Sequence, residues 1–198
     1  MKTGPWIHAV VLGGFAMATA ALLSVADIGT REEIALRKAE DLKASLAQVL
    51  PAELYDNDVV GEALTLSDGK RDVTVFRATK GGALTGVAYE MIGRGYAGDI
   101  RVILGVAPDG TLLGVRTVAH SETPGLGDKI EVAKSPWITR FSGLGLGNPP
   151  VERWKVKKDG GEFDQFSGAT ITPRAVVGAI RDGLAFHDAN RARFTEAH

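Results

Sequence analysis

Cysteine is absent from the 198-residue sequence, and histidine occurs at only four positions. Without thiols the chain forms no disulfides and holds no thiolate-ligated iron–sulfur cluster, so redox chemistry would need an organic cofactor. Four histidines do not favour a multi-histidine metal or haem site. The formal net charge is −1, which gives no basic excess for a nucleic-acid partner. We therefore predict neither a metal site nor nucleic-acid binding.

Charged residues are also absent from residues 6–26. This length matches the roughly 20 residues that a helix needs to cross a bilayer. The alternative is a cleaved signal peptide, because Ala18-Thr19-Ala20 and Ser24-Val25-Ala26 both resemble cleavage sites. Since the apolar stretch continues past the first of these sites, we predict an uncleaved transmembrane helix over residues 6–26.

The charges on either side of this span predict its orientation. Lys2 precedes it, whereas Asp27 and Arg31 to Glu33 follow it. By the positive-inside rule, residues 1–5 lie in the cytoplasm and the body of the protein lies outside it.

A second helix is predicted directly after the membrane span. Thr30-Arg31-Glu32-Glu33 has the form of a capping box, and Pro51 ends the helical pattern. We therefore predict a connecting helix within residues 27–51. Apolar residues recur in it at three- and four-residue steps, which predicts one packed stripe. Its members are Ala35, Ala39, Leu42, Leu46 and Val49.

The hydrophobic period then changes to that of β-strands. Strands are predicted over 63–66, 73–78, 84–91, 100–107 and 112–119, separated by glycine-containing turns. No crossover helix intervenes, so the sheet is mainly antiparallel. A last strand is predicted over 153–157. The glycine- and proline-rich stretch before it, residues 134–150, is interpreted as a lid, a contact surface or a loop held to the core by an aromatic side chain. The predicted fold class is α+β, with residues 52–198 as one domain.

The run Asp164-Gln165-Phe166-Ser167-Gly168-Ala169-Thr170 carries the strongest functional signal. Small residues let a ligand approach the backbone, and a helix is predicted to begin directly afterwards, with Thr172 as N-cap and Pro173 in its first position. The free N–H groups around Ile171 to Arg174, except at Pro173, which has none, and the helix dipole would favour a phosphate there. The Arg174 side chain is expected to extend into solvent. This helix is predicted to run to about Asn190, with a buried stripe at helical spacing: Val176, Val177, Ile180, Leu184 and His187.

A second motif is His120-Ser121-Glu122-Thr123-Pro124-Gly125-Leu126-Gly127-Asp128-Lys129-Ile130. Gly125 and Gly127 permit positive φ values and Pro124 stiffens the entry, so the loop can present one shape to a planar ligand. Asp128 is expected to cap a short helix, and His120 to be a structural partner.

The two motifs together resemble a known family: the G subunit of the Rnf electron transport complex, also called Rsx, whose cousin is the C subunit of the sodium-pumping NADH:quinone reductase. The resemblance covers essentially the whole chain. It implies FMN joined to Thr170 through a phosphodiester by a flavin transferase that acts outside the cytoplasm, with Asp164 ordering the loop or assisting the transferase. Further cofactor-binding residues are expected around Thr170 and in the second motif. They are Ser167, Gly168, Ala169, Ile171, Thr172, Glu122, Thr123, Gly125 and Leu126.

Tyr96 completes the set of predicted site residues. The surrounding Gly93 to Gly98 segment lacks the dinucleotide-binding spacing, so it is interpreted as a turn between strands. The alternative is a ligand contact, in which Tyr96 packs on or near the flavin.

By this resemblance the protein is a single-pass subunit of the bacterial inner membrane, with its FMN domain on the periplasmic side. Its partners would be iron–sulfur subunits and a second covalent-flavin subunit of a complex that couples NADH and ferredoxin electron flow to ion movement. The chain would carry electrons without catalytic residues of its own. An anion-binding module without covalent flavin is the alternative. A free-standing flavin reductase is disfavoured, because no dinucleotide fingerprint is present.

Overall fold

The computed structural model of the protein describes residues 4–69 and 71–195. Residues 1–3 of the predicted cytoplasmic segment lie outside this range. The chain divides after Leu42 into two compact units. The first consists of most of a long helix, and the second contains the sheet and the candidate site.

Helix α1 spans Pro5–Ala47 without a break. Its segment Trp6–Arg31, with a mean hydropathy of 2.1, is long and apolar enough to cross a membrane. The predicted helix start at Thr30 is wrong. The Thr30 hydroxyl donates to the carbonyl of Ala26 at 2.9 Å, a bond that satisfies a threonine inside a helix instead of capping a new one.

In the part of the chain that the structure describes, five strands form one sheet in the order β1-β2-β3-β4-β5, and every neighbouring pair is antiparallel. This arrangement confirms the predicted antiparallel sheet, with small changes in the strand ends. The strands are β1 Leu64–Ser67, β2 Asp72–Lys80, β3 Ala83–Arg94, β4 Asp99–Val106 and β5 Leu112–Ala119. One row of paired residues crosses all five strands and is entirely buried, which fixes the core face of the sheet. It runs Leu64, Val75, Tyr89, Leu104, Val115.

Helix α2, Ile171–Thr195, packs on this face. The predicted apolar stripe is confirmed, because each of its members is at most 1% exposed: Val176, Val177, Ile180, Leu184 and His187. Gly93 of β3 permits the close approach of the helix. A Cβ built on Gly93 would lie only 2.4 Å from the carbonyl oxygen of Ala175. The first turns of α2 are thus held directly against the sheet.

The opposite face of the sheet receives the end of α1 and the segment that follows it. Leu46, Val49 and Leu50 are at most 4% exposed. Gly105 of β4 lies beneath this segment, and a Cβ there would come within 2.0 Å of the Val49 carbonyl oxygen. At Gly105 the backbone of this segment therefore contacts the strand directly, in addition to the packing of its buried side chains.

The predicted last strand, 153–157, is not observed. Short 3₁₀ helices occupy Val151–Arg153 and Lys157–Asp159 instead. Trp154 and Val156 are buried, so the alternation of apolar and basic residues is satisfied by a folded loop. Its backbone groups pair locally, as in the 3.1 Å bond from the Trp154 N–H to the Val151 carbonyl.

The glycine- and proline-rich stretch before this loop is pinned to the core by aromatic side chains. Trp137 and Phe141 are 6% and 0% exposed, and their rings meet edge to face at 5.1 Å. This is the third of the alternatives that the sequence left open.

Candidate cofactor site

A cavity of about 430 Å³ opens between the β3–β4 turn, the loop after β5 and the start of α2. All predicted site residues line it except Ser167 and Gly125. The cavity is thus built from the two motifs and the glycine-rich turn, which the fold brings together from three separate parts of the sequence. Its lining residues are Tyr96, Glu122, Thr123, Leu126, Gly127, Gly168, Ala169, Thr170, Ile171 and Thr172.

A tight turn over Phe166 to Ala169 leads into α2. The Ala169 N–H donates to the Phe166 carbonyl at 3.3 Å, and Gly168 has φ of +83°, as the third position of a type II turn requires. Phe166 is buried and meets Trp137 edge to face at 5.1 Å. The turn is therefore anchored in the core while its glycine faces the cavity.

Thr170 follows this turn and immediately precedes α2. Its side chain is half-buried. Within residues 4–69 and 71–195 the Thr170 hydroxyl makes no hydrogen bond. The N–H groups of Ile171 and Thr172 begin the helix and have no acceptor within it. Thr170 thus offers an unengaged hydroxyl beside free donors at the positive end of a 25-residue helix.

Thr172 is not the N-cap that the sequence predicts. It lies inside the first turn of α2, is fully buried, and donates its hydroxyl to Oε2 of Glu122. Pro173 likewise falls within the first turn, where a missing N–H costs no helical hydrogen bond. The helix begins at Ile171, two residues before the predicted first position at Pro173, which leaves Thr170 directly at its entrance.

Arg174 does not extend freely into solvent. Its Nε and one terminal nitrogen bond both carboxylate oxygens of Asp159 at 2.6 and 2.8 Å. These bonds hold the pKa of the Asp159 carboxyl below its usual range. The other terminal nitrogen lies 3.4 Å from the Thr170 carbonyl oxygen. A cation is therefore fixed beside Thr170, although the acid that orients it partly offsets its charge.

Glu122 lies in the cavity wall but is engaged by the protein itself. Its Oε1 accepts from the Ala97 N–H at 3.0 Å, and its Oε2 accepts from the Thr172 hydroxyl. The side chain is 5% exposed. Glu122 therefore joins the β3–β4 turn to α2. The sequence analysis predicted a direct contact with the flavin and did not predict this structural role.

His120 fixes the start of the same loop. Its Nδ1 accepts from the Glu122 N–H at 3.1 Å, so the other ring nitrogen, Nε2, carries the proton and donates to Glu131 at 2.9 Å. This geometry agrees with the expected structural role. The predicted side-chain cap at Asp128 is wrong, because Asp128 lies inside the 3₁₀ helix Asp128–Ile130 and Gly127 precedes it.

The rim of the cavity is apolar and open. Tyr96 is 74% exposed, and Leu126 and Ile171 are 43% and 44% exposed. Large apolar side chains around a concave site suit the binding of a planar aromatic group. The β3–β4 segment is a turn, as predicted, and its Tyr96 also reaches the cavity.

Asp164 lies outside the cavity lining. Its carboxylate bonds Arg140 at 2.5 Å and Lys157 at 2.6 Å, and its carbonyl accepts from the Trp137 indole at 2.9 Å. The two cations hold the pKa of the Asp164 carboxyl below its usual value. Asp164 therefore ties together the loops that precede Thr170.

Two residues of the site are missing from the sequence prediction. Gly127 has φ of −87°, so it does not need the positive φ that its sequence suggests. A Cβ there would meet Glu122 Cβ at 2.8 Å and the Thr172 hydroxyl at 3.0 Å, so the glycine permits the close contact between the loop and α2. Its place in the second motif was a usable signal. Asp159, which orients Arg174, gave no such signal, because it lies 15 residues away at the end of the 3₁₀ helix Lys157–Asp159.

A larger groove of about 850 Å³ lies elsewhere, between the β1–β2 turn and the middle of α2. Side chains of both charge signs line it, including Arg71, Asp99, Arg181 and Asp182. It contains neither motif and no helix start. The smaller cavity is therefore the better candidate for a cofactor.

Sequence comparison assigns the chain to a family. It is 54% identical over 192 residues to the G subunit of the ion-translocating oxidoreductase complex of Cereibacter sphaeroides, with 96% of this chain and 88% of the relative covered. The chain belongs to this G-subunit family. The corresponding protein of Vibrio vulnificus is 41% identical over 189 residues, with 93% and 90% covered.

One family model agrees with this membership, a second describes the cofactor domain, and a solved structure shares the fold. A model described as the RnfG N-terminal region matches residues 1–49, and one described as an FMN-binding domain matches residues 95–185. The crystal structure of NqrC from Shewanella oneidensis shares the fold, with a TM-score of 0.50 and 24% identity over 77% of this chain and 74% of that one.

The G-subunit chain thus contains an FMN-binding domain, and the matched range includes every residue that lines the cavity. The residues present fit FMN. Free N–H groups and Arg174 suit a phosphate, while Tyr96, Leu126 and Ile171 suit an aromatic ring system. The long apolar helix is compatible with a single-pass membrane anchor.

Proposed function

We propose that this protein carries FMN covalently on Thr170 and transfers electrons within an ion-translocating oxidoreductase complex. The observation that supports this most directly is the unengaged Thr170 hydroxyl, which stands at the entrance of α2 inside the cavity of an FMN-binding domain. The hydroxyl of Thr172, the other threonine at the start of α2, is less suited. It is buried and bonded to Glu122.

The attachment is a phosphoryl transfer from FAD. Thr170 Oγ1 forms a bond to the phosphorus of the FMN half, the pyrophosphate bond breaks, AMP leaves, and the hydroxyl proton is released. A separate flavin transferase would catalyse this step. Asp164 would contribute by holding the loop before Thr170 in place through Arg140 and Lys157.

In the finished protein the chain holds and orients the cofactor. The phosphodiester keeps one negative charge, which the N–H groups of Ile171 and Thr172 and the helix dipole would stabilise. Arg174 adds a nearby cation. When bound, the flavin supplies the ability to accept one or two electrons. A covalent link would also prevent loss of the cofactor outside the cytoplasm.

Membership in the G-subunit family supports the assembly and location. The relatives are named as subunits of an ion-translocating oxidoreductase complex. We infer that this chain joins iron–sulfur subunits and a second covalent-flavin subunit in the bacterial inner membrane, where electron flow between NADH and ferredoxin is coupled to ion movement. The charge distribution around residues 6–26 favours a periplasmic FMN domain.

Intact-mass measurement tests the attachment. Protein purified under denaturing conditions from its native membranes should be heavier than the bare chain by one FMN less water, and peptide mapping should locate the adduct on Thr170. Thr170→Ala should lack it, whereas Thr123→Ala, which removes another cavity hydroxyl, should retain it. The periplasmic placement predicts that an impermeant thiol reagent labels exposed Ser142→Cys in intact cells, since the native chain has no cysteine.

An unmodified native chain would refute the covalent assignment. The protein would then be colourless after denaturation, and a membrane-tethered module that binds a phosphate or another anion at the start of α2 would become the function to test. An adduct retained in Thr170→Ala would place the flavin on a different residue.

A further inference from the structure

Three segments of the chain meet at Glu122, which lines the cavity. The Glu122 carboxylate accepts from Ala97 in the β3–β4 turn and from Thr172 in α2, while the Glu122 N–H donates to His120 at the end of β5. Both carboxylate oxygens act as acceptors, which suits the ionised form of this side chain.

Glycines on either side leave space for this carboxylate and for little else. A Cβ on Gly95 would lie 2.4 Å from Glu122 Oε1, and one on Gly127 would lie 3.0 Å from Oε2. The side chain is 5% exposed, so water reaches it poorly. The backbone is therefore shaped around a negative group that lines the cavity.

A buried charge in a cavity wall acts strongly on any charge that enters the cavity, because water screens it little. Each electron that a flavin accepts adds one negative charge unless a proton accompanies it. A carboxylate in the wall therefore opposes reduction. Arg174 is the nearby cation, and its pairing with Asp159 weakens the compensation that it could provide.

We propose that Glu122 sets the redox potential of the flavin by fixing one buried negative charge in the cavity wall, in addition to joining the wall segments. This inference rests on the proposed covalent FMN. It makes Glu122 a positioning and potential-setting residue, since the hydrogen bonds of its carboxylate go to the protein and leave no need for direct contact with the cofactor.

Glu122→Gln removes the negative charge of the side chain and keeps nearly the same side-chain shape. The amide oxygen can accept from the Ala97 N–H, and the amide nitrogen can donate to the Thr172 hydroxyl, which rotates to accept. We expect the full-length purified variant to keep its FMN adduct, its flavin absorption spectrum and its unfolding temperature. Its midpoint potential at constant pH, measured by spectroelectrochemical titration, should shift to a more positive value.

Two further variants serve as controls. Glu131→Gln removes an acid that is 39% exposed and outside the cavity lining, so its shift should be several-fold smaller because solvent screens that charge. Glu122→Ala removes the hydrogen bonds as well as the charge and should also lower the unfolding temperature and change the flavin fluorescence.

The outcomes separate this inference from the proposed function, because the FMN adduct is weighed in every sample. A wild-type chain without adduct overturns both. If wild type and Glu122→Gln both carry the adduct and have equal midpoint potentials, only the role of the Glu122 charge is overturned, and the proposed function stands. Loss of the adduct in Glu122→Gln alone overturns that role too, because the carboxylate would then be needed for assembly of the site.

Discussion

Gly93→Ala should displace the start of α2 and loosen the site. The added Cβ would lie 2.4 Å from the Ala175 carbonyl oxygen and 2.8 Å from its carbon. Both belong to backbone, so no side-chain rotation relieves the clash, and strand and helix would have to separate by about 1 Å to reach ordinary contact. Overpacking of this kind costs about 1–3 kcal/mol. For a chain of this size that lowers Tm by roughly 2–12 °C.

The measurement is thermal unfolding of the full-length protein in detergent, followed by tryptophan fluorescence. Gly178→Ala is a matched control in the same helix, because a Cβ there meets no atom within 4 Å. It should raise stability by roughly 0.5–1 kcal/mol, as replacement of a helical glycine usually does. The flavin fluorescence of Gly93→Ala should also change, since Thr170 moves with the helix. Equal Tm values for Gly93→Ala and wild type would refute close helix–sheet packing at this site.

Two other predictions use the same unfolding assay. Tyr89→Phe removes the buried hydroxyl that donates to the Gly183 carbonyl at 2.8 Å. That carbonyl keeps its helical partner within α2, so the loss of this one bond should cost about 0.5–1.5 kcal/mol, and an unchanged Tm would argue against the bond. The second prediction concerns pH. Burial lowers the pKa of His187 in the folded protein, so the unfolded chain binds a proton there more readily than the folded chain. The free energy of unfolding should therefore fall as the pH drops below about 6.5. His187→Leu should flatten this dependence between about pH 7 and 5, and a profile as steep as wild type would assign the acid loss to other groups.

The spacing of residues that are neighbours in sequence predicted much of the secondary structure and burial of this protein. Strand alternation and glycine turns predicted five antiparallel strands, and the apolar spacing of α2 predicted its buried stripe, because each signal depends on residues that are neighbours in sequence. The two motifs predicted most of the residues around the cavity. They did so through family resemblance, since neither spacing by itself brings Glu122 near Thr170.

Local sequence patterns gave wrong predictions where the same residues are compatible with two conformations. Thr30 had the sequence of a helix start, but a threonine inside a helix bonds the carbonyl one turn earlier. Trp154 and Val156 alternated with lysines as in a strand, yet both are buried by a folded loop. In each case the same residues satisfy two conformations, and packing over longer range selects one.

The tertiary structure alone decided the contacts that shape the site. Glu122 bonds a threonine 50 residues later, Arg174 is oriented by Asp159, and α2 approaches β3 at Gly93. Such pairs join segments whose separation in space depends on the whole fold, so no periodicity encodes them. The sequence determined which residues could hold a flavin phosphate, and the packing of α2 on the sheet decided that Thr170 keeps its hydroxyl free while that of Thr172 is buried.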